Sequence, residues 1–357
     1  MERSRLVNLL LILLSALAAL FLAQMLWQVA SGYADVILLF VLGWLVSFVL
    51  NPVVQKLSQP PLNFSRSVSV ALVYLGLVLA SVIGVALIAP TLVIQLTEIA
   101  RRMPEYAAQM PPAVEWTQSQ LDRLGVHTNV EDAVRAGAAM LQGYAAAIVQ
   151  NALGVLTGLL GFLANLFLVL ILGFYFTHDA PLLRQITLRF VPANFQDEFR
   201  VFSENVDRTF GGFIRGQLIQ AIIIGIGTAL VMVALQLNFA LVASLFAGVF
   251  MLIPLVGPFL ALLPPLLVAL IQTPGVALWV LLALFIYQFA ITNVVMPRVL
   301  SSAVGMHPLL VLGALLISVK VAGFWGAFFG IPVVGVLWAM FNYFFERWRN
   351  QQPDSVK

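Results

Sequence analysis

Residues 241–271 read LVASLFAGVFMLIPLVGPFLALLPPLLVALI, without one charged side chain. A half-buried strand alternates apolar and polar positions; this run does not, so it predicts helix in an apolar solvent. It is also longer than the roughly 20 residues that a simple span requires. Near its middle, Pro254, Gly257 and Pro258 are the residue types that interrupt helices. The run therefore predicts either a span with a half-helix or a re-entrant hairpin.

The rest of the chain agrees. Of 357 residues, 62% are hydrophobic and 9% charged, against roughly 25% charged in a soluble domain. A soluble globular enzyme is excluded. Further apolar runs cover 6–30, 34–50, 67–94, 148–176, 217–237, 275–296 and 308–345. The expected fold class is an all-α integral membrane protein of about eight transmembrane helices, with Pro/Gly-broken, re-entrant or kinked segments in the C-terminal half. Arg3 and Arg5 precede the first run as in a signal peptide, but residues 6–30 exceed a cleavable apolar core and predict a retained span. The next run follows a tight turn at Ser31-Gly32-Tyr33 and stops at Asn51-Pro52.

This patterning divides the chain into a three-span region (1–94), an external amphipathic helical segment (95–147), a fourth span (148–176), cytoplasmic interfacial helices (177–216), a C-terminal core with paired Ile-Pro breaks (217–345) and a cytoplasmic tail (346–357). In 95–147, apolar residues at Leu96, Ile99, Met103, Tyr106 and Met110 recur at helical spacing up to Pro111-Pro112, and Asn129 can cap a second helix. About 53 residues are few for an independent core, so the expected role is packing on the membrane domain or on a second copy. In 177–216, Asp179 can cap a helix and Pro192-Ala193-Asn194 marks a break.

Lys and Arg are retained on the cytoplasmic side of membranes. With both termini inside, cytoplasmic segments hold twelve of them and external segments five, Arg298 included. The sequence thus predicts a multi-pass protein of the inner (cytoplasmic) membrane with cytoplasmic termini. A net charge of +3 fits this orientation signal and no nucleic-acid partner.

The C-terminal half contains an echo: 248–257 (GVFMLIPLVG) and 326–335 (GAFFGIPVVG) agree at six of ten positions. Matching Pro/Gly interruptions in two apolar segments point to a transporter site, because freed backbone groups must find partners away from lipid. The expectation is that Pro254 and Gly257 pair with Pro332 and Gly335 across a polar cavity. Residues 208–345 contain no Asp or Glu, whereas cation exchange within a membrane normally uses a buried carboxylate. Lys320, Arg298, Arg215, His307, Asn238, Gln288 and Asn293 suit a neutral polar or anionic solute instead. Lys320 stands either at a turn or facing an aqueous cavity. His307, just before Pro308, reads as a turn residue or a proton relay.

No cysteine is present, and the histidines at 127, 178 and 307 lack metal-ligand spacing. No Gly-Lys pair forms a phosphate loop, and neither Gly-x-Ser-x-Gly nor His-Glu-x-x-His occurs. No enzyme activity, cofactor or metal is expected.

Several motifs together resemble one family. They are Phe174-Tyr175-Phe176, Gly216-Gln217-Leu218, Ile253 through Pro258, Asn293-Val294-Val295-Met296-Pro297-Arg298, Gly305-Met306-His307-Pro308-Leu309, and Gly323-Phe324-Trp325-Gly326 through Ile331-Pro332. Their order resembles the autoinducer-2 exporter (AI-2E) family of bacterial and archaeal membrane proteins. The resemblance implies eight spans, export of a small sugar-like quorum-sensing signal, sodium/proton antiport in some members, and oligomeric assembly. Thr292 stands where many relatives have Glu, and Ser318-Val319-Lys320 where a Gly-rich stretch is expected. The first departure removes a cation ligand.

The sequence therefore points to a secondary transporter or facilitator of a small polar solute in a lipid bilayer, assembled as a homo-oligomer. Its candidate pathway residues are Pro254, Gly257, Pro258, Asn293, Pro297, His307, Lys320, Pro332 and Gly335. The rival readings are a sodium/proton antiporter and a non-transporting scaffold that assembles through 95–147.

Overall fold

The computed structural model describes residues 31–109, 152–295 and 306–350, with scattered positions between 14 and 29. Its elements are α1 (Ala34–Ser58), α2 (Arg66–Gln109), α3 (Ala152–His178), α4 (Ala180–Phe190), a 3-10 turn (Ala193–Phe195), α5 (Gln196–Ala234), α6 (Ala240–Met251), α7 (Gly257–Gln272), α8 (Pro274–Ala290), a π turn (Ile291–Val295) and α9 (Pro308–Asn350). Among the described residues, six helical stretches are long and apolar enough to cross a membrane: Ala34–Ser58, Arg66–Ile99, Thr157–His178, Ala193–Ala234, Gly275–Val294 and Leu309–Arg349. The chain is an all-α membrane protein.

The run at 241–271 is not one span. Helices α6 and α7 have 12 and 16 residues, or about 18 and 24 Å at the helical rise, each short of a hydrocarbon core of ~30 Å. They form two arms joined at residues 252–256. The last run, 308–345, also folds back. Within α9, Ala322 (φ −134°, ψ 19°) and Gly323 (φ 55°, ψ −130°) leave helical geometry. A Cβ on Gly330 would stand 3.4 Å from Ala314 O, an approach impossible along one straight helix. Gly326 lies against the Ser318 carbonyl in the same way.

Three expectations about helix ends are corrected. Pro332 and Gly335 do not break a helix, since the only non-helical pair within α9 is Ala322-Gly323. Pro52 does not stop α1, which continues to Ser58. A proline removes one hydrogen bond without reversing the chain, and the turn beyond Pro52 buries Val54 at 1% exposure. Third, helical residues stand at 31–32 and from Ala34 onward, leaving only Tyr33 outside the helix where a tight turn was expected. Asn129 and the second helix expected there lie outside the described residues.

Two compact units make up the chain. The first comprises Met1–Tyr74 and Asn165–Pro181. Here α1 and α3 cross at Gly43, whose added Cβ would meet Leu172 Cβ at 2.6 Å and Val169 O at 3.2 Å. Small residues allow such close helix contact in membranes. Tyr74 and Thr177 share a buried hydroxyl hydrogen bond of 2.8 Å, and Arg66 Nη2 donates to Thr177 O at 2.8 Å. That contact places a cation on the carbonyl end of α3, where the helix dipole favours it. Ser67 Oγ lies 3.1 Å from His178 Nε2, and His178 Nδ1 lies 2.7 Å from Asp179 Oδ1.

The second unit comprises Leu75–Ala164 and Leu182–Lys357. Its core gathers Met232, Leu237, Ala243, Ala269, Val280 and Leu284 from α5 through α8. A smaller cluster of Ile224, Ala247, Met251 and Ala261 lies beside the 252–256 break. Helix α5 also packs against α9, so both folded-back segments rest on one helix.

Candidate functional site

The break between α6 and α7 follows from its sequence. Pro254 has no N–H to continue α6, and Leu255 takes a left-handed φ of 64°. The turn then satisfies two of its own donors: Val256 N–H donates to Pro254 O at 2.7 Å, and Gly257 N–H to Ile253 O at 2.8 Å. Gly257 is required by proximity. A Cβ there would stand 3.1 Å from Met251 Cα and press on the Phe250 carbonyl.

Side-chain amides converge on this turn. Gln217 and Gln220 lie three residues apart on α5, hence on one face, and are 8% and 6% exposed. Gln217 Nε2 donates to Leu252 O at 3.4 Å, a carbonyl in the interrupted stretch. Gln288 on α8, also buried, donates to Pro258 O at 2.6 Å in the first turn of α7. Gln220 Nε2 donates to Thr292 Oγ1 at 3.1 Å. Thr292 belongs to the π turn, a rare geometry found mostly as single turns and frequently at functional sites.

The neighbouring helices are held close enough for these bonds. Gly225 and Gly248 face each other across α5 and α6, a Cβ on Gly248 standing 3.1 Å from Ala221 O. Gly227 makes room for the Tyr287 ring, and Tyr287 Oη donates to Ile223 O at 2.7 Å. Tyr287 thereby fixes α8 just beside Gln288. On the far side, Gln95 Oε1 of α2 accepts from Val242 N–H at 3.1 Å, capping the first turn of α6.

Of the residues expected from sequence, Pro254, Gly257 and Pro258 meet at this break. The other described candidates do not join it by any hydrogen bond. Asn293 is exposed, and its Nδ2 donates to Phe289 O on its own helix at 3.0 Å. His307 is exposed and accepts from Leu309 N–H through Nδ1 at 3.3 Å, capping α9. Lys320 is exposed, two residues before the Ala322-Gly323 turn. Pro332 and Gly335 are buried within the second arm of α9. Pro297 lies outside the described residues.

Sequence reasoning missed Gln217 and Gln220 as a pair. The available signal was two amides at i, i+3 where α5 changes from polar to apolar. The assembled groups are uncharged donors and acceptors, suited to hydrogen-bonding a neutral polar solute and not to holding a bare cation through charge.

Comparison with known proteins places this architecture. The AI-2E family transporter profile matches residues 9–346. YrrI of Bacillus subtilis (strain 168), provisionally named a transport protein, is 26% identical over 341 residues, covering 94% of each chain. YueF of the same organism, named likewise, is 24% identical and aligns with 82% of this chain and 80% of its own. PerM of Escherichia coli (strain K12), provisionally named a permease, is 27% identical over 55% of this chain and 56% of its own. With the profile spanning nearly the whole sequence, the chain belongs to the AI-2E family of membrane transporters.

Proposed function

We propose that this protein is a secondary transporter or facilitator that exports a small polar or sugar-like solute of the quorum-signal type across the cytoplasmic membrane, with residues 217–345 as its transport core. One observation carries the proposal: a helix break in apolar surroundings is bonded by buried amides, Gln217 to Leu252 O and Gln288 to Pro258 O. Irregular backbone at membrane depth is tolerated where protein or an aqueous cavity satisfies it. Amides that hold the break also offer hydrogen bonds that a solute hydroxyl can replace, which links occupancy to movement of the α6–α7 arms.

The absence of any carboxylate from 208 to 345 favours a neutral cargo over sodium/proton exchange. Within the proposal, Pro254, Gly257 and Pro258 shape the path. Asn293, Pro297, His307, Lys320, Pro332 and Gly335 are secondary candidates. Cytoplasmic termini and a homo-oligomeric assembly belong to the same proposal, supported by the Lys/Arg asymmetry and by the family resemblance respectively.

The test is flux through the purified protein in liposomes, with radiolabelled sugars and candidate signals loaded separately. Gln288→Leu is expected to lower flux of the transported solute while the protein still inserts. Equal leakage from liposomes with and without the protein, for every solute, would refute transport.

A further inference from the structure

Among the described residues, helix α4 leaves an apolar face without a protein partner. Leu182, Leu183, Ile186 and Phe190 fall within an arc of about 100° on a helical wheel. All four are exposed, Phe190 at 83% and Leu182 at 54%. The opposite side is the one fixed to protein. Leu188 is half-buried there, Arg184 lies 3.7 Å from Glu204 on α5, and Gln196 Nε2 reaches the Leu188 and Val191 carbonyls at 3.5 and 3.4 Å. These contacts aim the apolar arc outward.

Two observations say what covers it. First, Asp179 alone separates α4 from the membrane-spanning stretch Thr157–His178. A helix that begins one residue after a span starts at the membrane boundary. Second, α4 carries Arg184 and Arg189 and no acidic residue. Arg189 flanks the apolar arc, while Arg184 is turned towards Glu204.

We propose that α4 lies in the lipid headgroup layer, its apolar arc among acyl chains and Arg189 on the phosphate of an anionic phospholipid. An apolar face with arginine at its margin matches a bilayer surface, which supplies hydrocarbon and negative charge at adjacent depths. A second copy of α4 would cover the apolar arc but offers Arg189 no acidic partner, since this helix contains none. The inference does not depend on what the protein transports.

The native chain has no cysteine, so a single Phe190→Cys carries one fluorophore. The labelled full-length protein is reconstituted in liposomes containing equal fractions of brominated phosphatidylglycerol or brominated phosphatidylcholine. Quenching by both lipids is expected, with phosphatidylglycerol associating about fivefold more strongly, as one interfacial arginine implies. Arg189→Gln should bring that ratio to about one, and Arg189→Lys should restore most of it, if the charge is the cause. Absence of quenching by either lipid would overturn the placement. An equal ratio in the native background would overturn the anionic preference, and a disulfide-linked dimer of the unlabelled Phe190→Cys protein would assign the face to a second copy instead.

Discussion

Gly227→Ala should be among the most damaging small substitutions in the second unit. Gly227 is buried on α5, and its added methyl would fall within the Tyr287 ring on α8. The ring must move, which breaks its 2.7 Å hydrogen bond to Ile223 O. Overpacking costs about 1–3 kcal/mol and a lost hydrogen bond about 0.5–1.5 kcal/mol, so the expected destabilisation is about 1.5–4.5 kcal/mol. Because Gln288 follows Tyr287 directly, the same displacement should draw its amide away from Pro258 O and reduce flux. Gly76→Ala is the control, since nothing stands within 4 Å of a Cβ there, and it should be neutral or stabilising by up to ~1 kcal/mol. Thermal unfolding in detergent, alongside liposome flux, reads both effects. In the double variant Gly227→Ala/Tyr287→Leu the clash disappears, so the loss should be smaller than the sum of the single losses. Equal unfolding temperatures for Gly227→Ala and Gly76→Ala would refute a clash with the Tyr287 ring.

Gln288→Leu should destabilise the protein by about 1–3 kcal/mol by removing a buried donor from the Pro258 carbonyl, measurable as a lower unfolding midpoint. Gly323→Ala should cost about 1–3 kcal/mol because φ 55° with ψ −130° excludes ordinary side chains; an unchanged midpoint would argue against that turn. A sodium gradient across proteoliposomes should drive no proton flux, and robust flux abolished by Asp35→Asn or Asp179→Asn would contradict a carboxylate-free core. A cysteine placed at Gln118 should react with an impermeant maleimide in intact cells, whereas labelling only after permeabilisation would invert the topology.

The membrane class and the 254–258 break were legible because apolar length and a Pro/Gly cluster are local signals. The second break was misplaced for an equally physical reason. Ile331-Pro332 repeats Ile253-Pro254, but proline alone subtracts one hydrogen bond, and Pro52, Pro264, Pro265 and Pro332 all sit inside helices. Reversal needs a backbone conformation, supplied by Leu255 at one turn and Gly323 at the other, and no sequence repeat marks that shared property. For Gln217 and Gln220 the local signal was only their i, i+3 spacing, because their partners, Leu252 and Thr292, lie 35 and 72 residues away along the chain.

Helix α5 runs 39 residues without interruption, about 58 Å at 1.5 Å per residue, nearly twice the hydrocarbon thickness. Glu198 near its start pairs with Arg347 of α9, and Gln217 near its middle holds the α6–α7 turn. Such a rod behaves as a lever. A pivot of 5° about its midpoint moves each end by about 2.5 Å over a half-length of ~29 Å, comparable to the reach of one hydrogen bond. A tug on the Glu198 end is therefore felt at the far end as a stroke large enough to exchange one hydrogen-bond partner for another, with no bending of the helix between.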